Sequence, residues 1–156
     1  MFPSRIVAPP LMAIALLAAA IALHAEDARV SGAAARKLVD KLCSTSQPGE
    51  LASAREKLAA GGTANLPLLH ETATNDRRIF VRVQCCFILA KIADPSSVAV
   101  LERAARSSLP ALDRAAVIAL RTIGGESAIR SLGRLEAVTA DTNLRILIRN
   151  SIDELE

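Results

Sequence analysis

Few side chains in this sequence have the chemistry of a catalytic or ligand-binding group, and their spacing limits what they can do. There are two histidines, His24 and His70, and three cysteines, Cys43, Cys85 and Cys86. His70 is followed directly by Glu71, an imidazole beside a carboxylate, donor types that several transition metals accept. The pair occurs once, and one His with one Glu is too small a donor set for a dinuclear centre. The competing reading places it at the exposed end of a short helix. A serine nucleophile would need an imidazole base, and His70 is the one histidine outside the leader described below. No nucleophile elbow or phosphate-cradling glycine loop occurs. The cysteines are odd in number and have no histidine nearby, which argues against a metal site. Cys43 could bond to Cys85 or Cys86 in an oxidising compartment. Cys85 otherwise reads as a small buried apolar residue, and Cys86 lies on a flank.

A second set of residues is electrostatic. Arg82, Lys91, Arg114, Arg121, Arg145 and Arg149 fall on the less apolar sides of successive helical segments in the C-terminal half. One reading is a basic groove for an acidic peptide or protein. The other is a solvated face with local ion pairs to Asp113 and Asp153. The formal net charge is +3, and it falls to +2 if Arg5 leaves with a leader, too mild for generic nucleic-acid binding.

The elements that carry these residues repeat. Val81 to Leu101 (VRVQCCFILAKIADPSSVAVL) is written again as Leu112 to Leu132 (LDRAAVIALRTIGGESAIRSL). Aligning Ile92 with Ile123 puts Val81 on Leu112, Cys85 on Ala116 and Leu89 on Leu120, a period of about 31 residues. A third copy, Leu144 to Leu155, keeps the register with Leu144, Ile148 and Ile152. The apolar fraction of 51% is ample for a core, and a chain without Trp or Tyr and with three Phe favours helices meshing through small and aliphatic side chains.

The segments read in order as eight helices in four hairpins. Ala28 to Leu42 is amphipathic, with Val30, Ala34, Leu38 and Leu42 at every fourth position. Glu50 to Ala60 ends at Gly61-Gly62, Leu66 to Thr74 is short, and Ile79 to Ala93 is the most apolar. Asp94-Pro95 and Leu109-Pro110 start the next two helices, since proline suits a first turn. Ser127 to Val138 and Asn143 to Leu155 complete the set. Gly61-Gly62 and Gly124-Gly125 read as helix stops in left-handed geometry. In each hairpin the second helix is the more apolar, as expected where it packs on both sides against neighbouring repeats.

The N-terminus carries one cation, Arg5, then the uninterrupted apolar run Leu11 to Leu23, then small residues before Glu26-Asp27. That order is a secretory signal peptide, with cleavage expected after Ala25, a domain over residues 26–156 and an exported product. An uncleaved anchor is the alternative and would be the one route to the membrane.

Apolar-Arg before the second helix (Val81-Arg82), small residues within it (Ala115-Ala116), and Leu-x-x-Ile at its close (Leu89 to Ile92, Leu120 to Ile123) resemble bacterial HEAT-like repeats over Leu66 to Leu155. The short repeats are similar to those of the phycobilisome-lyase-like group. The resemblance implies an all-α right-handed solenoid, a non-enzymatic scaffold without cofactor, and a protein partner held on a concave face of second helices. With the leader, it implies the bacterial periplasm. It also raises the enzymatic alternative, a metal- or cofactor-binding protein using His70, Glu71 and the cysteines, because a HEAT-repeat group of di-iron hydroxylases uses repeated His-Glu pairs. Here the pair is not repeated. Tetratricopeptide repeats have a similar period, but their Trp, Gly and Tyr marks are missing.

Overall fold

The computed structural model describes residues 32–45 and 47–156. Among these residues there are eight α-helices and no strand. Helix α1 covers residues 32–44. It is followed by α2 (Pro48–Ala60), α3 (Leu66–Asn75), α4 (Ile79–Ile92), α5 (Val98–Ala104), α6 (Pro110–Ile123), α7 (Gly125–Val138) and α8 (Thr142–Asp153). Single 3-10 turns, Gly62–Asn65 and Pro95–Ser97, lead into α3 and α5. The expected leader, His24 and the start of the first amphipathic segment, Ala28 and Val30 included, lie outside the described residues.

The helices form two layers. α3 packs on α4, α5 on α6 and α7 on α8; α4 lies between α2 and α6, α6 between α4 and α8, and α5 touches both α3 and α7. One continuous apolar cluster runs from Ala35 to Ile148. Ala54, Cys85, Ala116 and Ile148 hold the same position in the four second helices, with Leu58, Leu89 and Leu120 one turn on, and none is more than 2% exposed. α4 and α6 meet through small side chains, with Cys86, Ala90, Ala115 and Ala119 all buried, so their backbones approach closely.

The joints follow from local chemistry. Asp94 accepts from the Ser96 amide at 2.8 Å, and Asp141 accepts from the Asn143 and Leu144 amides at 2.8 and 3.1 Å, satisfying donors that the first turn leaves unpaired. Two expectations need correction. In α1 the buried residues are Ala35, Val39 and Leu42, while Ala34 is exposed and Leu38 half-buried, because a strict four-residue spacing drifts about 40° per step around a helix of 3.6 residues per turn. The left-handed residue of the Gly61-Gly62 stop is Gly62, at φ 54, whereas Gly61 is right-handed at φ −69. Its missing Cβ leaves room for the Asn65 side chain, whose Nδ2 would lie 2.0 Å from a Cβ there and donates to the Leu58 carbonyl at 2.8 Å. At the end of α4, where no glycine stands, Ala93 takes the left-handed geometry, at φ 55.

Candidate interaction face

The second helices leave one side uncovered. On α4, Phe87 lies roughly opposite Cys85 and Leu89 on the helical wheel, and Phe80 and Val83 continue its stripe toward the N-terminus at helical spacing. The equivalent positions are Ala111, Arg114 and Ile118 on α6, and Asn143, Ile146 and Asn150 on α8. Phe80 is 48%, Phe87 36% and Ile146 54% exposed, with Val83 and Ile118 half-buried. Outside the N-terminal Phe2, the two phenylalanines are the chain's whole aromatic content, and both face outward. Neighbouring repeats cover only the flanks of α4, so the third side stays open. The sequence signal was available: two aromatics seven residues apart, off the shared core register.

Between α2 and α4 the face dips into a groove of about 240 Å³, with Ala52, Phe87 and Ile88 along it and Arg55, Glu56 and Lys91 at its rim. Lys91 is paired with Glu56 across it.

The six expected cations do not form one basic row. Arg82 donates from Nε to the Ala73 carbonyl at 2.9 Å, and the equivalent Arg145 donates to the Thr139 carbonyl; each therefore ties its own hairpin joint, capping the end of the preceding helix. At the same position α6 carries Asp113, which is buried and accepts from the Ser107 hydroxyl at 2.7 Å. Arg121 pairs with Glu154 at 3.0 Å, and Arg149 donates to Glu136 at 2.9 Å. The acids that pair with these cations are thus Glu56, Glu136 and Glu154, where Asp113 and Asp153 were expected. Arg114 alone of the six makes no ion pair or hydrogen bond among the described residues, and it is exposed. It stands between Val83 of α4 and Ile146 of α8 in the repeat register.

The candidate chemical residues are dispersed. His70 is half-buried within α3, not at an exposed end, and its Nε2 lies 2.9 Å from the Ser97 hydroxyl; loss of hydration lowers its pKa, against the opposing pull of Asp94. Glu71 points elsewhere, into a cleft of about 340 Å³ with Arg36, Asp40 and Asp76. The three cysteines are free, Cys43 exposed and Cys85 and Cys86 buried, so the bond open to Cys43 is not formed and Cys85 takes its other reading, a small buried residue. Burial pushes the Cys86 thiol up to about 12 and raises Cys85 as well, which holds both as inert thiols. Among the described residues no three His, Cys, Asp or Glu side chains gather as a metal ion would require.

Paired helices stacked in two layers, with a repeating core register, define an α-helical repeat protein. The family model for HEAT repeats matches residues 66–152, and the chain belongs to that family. No curated protein matches it. HEAT repeats generally serve as protein-interaction scaffolds.

Proposed function

We propose that this chain is an exported, non-enzymatic scaffold that binds another protein through the uncovered face of its second helices. The exposure of Phe80 and Phe87 on α4 carries the reading. A chain this poor in aromatics places both where a core gains little from them, and exposed aromatics clustered with an arginine are the composition of interaction hot spots. The second helices of HEAT-like solenoids line the concave side, and we assign the uncovered face to that side. Export rests on the order of cation, apolar run and small residues before Glu26, and the periplasm is the compartment it implies.

Site-specific photocrosslinking in intact cells tests the face. A benzoylphenylalanine at Phe87 should yield a discrete protein adduct, and one at the exposed Arg103 of α5, on the other layer, should not. Equal adducts at both positions, or none at Phe87, would sink the proposal. Intact mass of the purified chain should lack about the first 25 residues, and a full-length species would count against export by a cleaved leader.

A further inference from the structure

We infer that the occupant of this face is an α-helix of the partner, whose apolar side covers Phe80, Val83, Phe87 and Ile118 and which brings one carboxylate to Arg114. The inference rests on the protein-binding reading above and adds the partner's chemistry to it.

Charge carries the first step. Lys91 and Arg121 toward this face are already matched by Glu56 and Glu154; Arg55 at the groove rim and Arg114 have no acid among the described residues, and of the two Arg114 is the exposed one. It stands in register between the apolar Val83 and Ile146, with Ile118 one turn on in its own helix, so a partner that covers those side chains strips water from the guanidinium. A stripped, unmatched charge opposes binding strongly, so a partner suited to this face supplies an anion at that point.

Backbone chemistry carries the second. The face is made of helices, whose own peptide groups are satisfied internally, and it offers no strand edge to pair with. An extended peptide laid over Phe80 and Phe87 would lose water from its N–H and C=O groups without replacing those hydrogen bonds. A helix brings its backbone already bonded and needs only side chains at i, i+3, i+4 and i+7 to fill the surface. Phe80 to Phe87 spans roughly 10 Å along α4, and α6 lies about 10 Å to its side, a footprint of two to three helical turns.

Other occupants fit less well. A second copy docked face to face would bring its own Arg114 and Arg55 to the same face with Asp153 of α8 as the one acid there free of a partner among the described residues, so like charges would outnumber it. A bilayer would bury Arg114 and both ion pairs along with the phenylalanines.

Designed peptides of roughly 18 residues test this by fluorescence anisotropy. One carries a Leu stripe at helical spacing with a central Glu, a second has Lys in its place, and a third is the first with its order scrambled so that no stripe forms. The Glu peptide should bind about tenfold or more tightly than the Lys peptide, and the scrambled peptide should not bind. Arg114→Glu should invert the preference, with the circular dichroism spectrum unchanged. Phe87→Ser should weaken both peptides and leave the preference in place. No preference between Glu and Lys, a preference that survives Arg114→Glu, or equal binding of the scrambled peptide would overturn the inference. So would association with phosphatidylglycerol vesicles that Phe87→Ser abolishes, since a lipid surface would then be the occupant. If the Phe87 photoadduct forms but the charge inversion fails, the helix-and-carboxylate inference falls alone; if neither appears, the protein-binding reading falls with it.

Discussion

Gln84 breaks the apolar pattern of its own repeat position. It is 6% exposed, its Oε1 has no hydrogen-bond partner among the described residues, and the equivalent positions hold Ala115 and Leu147. A buried carbonyl that has lost water without replacement destabilises by about 1–3 kcal/mol. Gln84→Leu, close in volume, should therefore raise stability by about 1 kcal/mol, read as a higher urea midpoint at unchanged slope; a lower midpoint would show that the amide makes a bond that matters. At this scale the sequence was legible where a residue answers to its register, as Cys85 does under Ala116 and Ile148. It was not legible where a long side chain chooses among partners. Arg82 and Arg145 share a register position and cap joints, whereas Arg114, one residue on from the equivalent Asp113, turns about 100° away to the open face.

Between elements, ion pairs join some repeats and not others. Glu102 of α5 receives Arg134 of α7, Ser131 of α7 and Arg106 from the turn that follows its own helix, and Arg134 foremost holds its carboxyl down at about 2. Arg78, at the start of α4, spans Asp76 and Asp40 of α1 and lowers the Asp76 carboxyl. A carboxylate whose folded pKa is depressed contributes stability that is complete above its unfolded value near 4.5 and is lost as pH falls toward about 2. Unfolding midpoints should therefore drop between about pH 5 and pH 2. Glu102→Gln should lower the midpoint at neutral pH and flatten part of that acid slope; an unchanged slope would mean the α5–α7 clamp contributes nothing to stability. The joints were legible, since Pro95, Pro110 and Asp94 act locally, although Pro95 opens a 3-10 turn and α5 itself runs only from Val98 to Ala104. The clamps were not, because Glu102 and Arg134 lie a repeat apart, and alignment of repeats gives positions without saying which charges meet.

Across the whole molecule, stability resides in contacts between successive hairpins, because no single hairpin buries both flanks of its second helix. Leu120 is fully buried in α6, and α6 touches α4, α5, α7 and α8, so one side chain bears on three of the four repeats. Leu120→Ala should cost about 2–5 kcal/mol through lost burial and the cavity left behind. In a protein with a separate central core that loss would stay local. Here the apolar cluster is continuous from α1 to α8, so the cost should be shared by the flanking repeats. Thermal unfolding followed by circular dichroism should move to lower temperature as a single transition, and limited proteolysis should cut first in the α5–α6 and α7–α8 joints. A midpoint within error of the parent would mean that the register placing Leu120 under Leu58 and Leu89 is wrong. A biphasic melt would mean that the first two hairpins hold together without the last two.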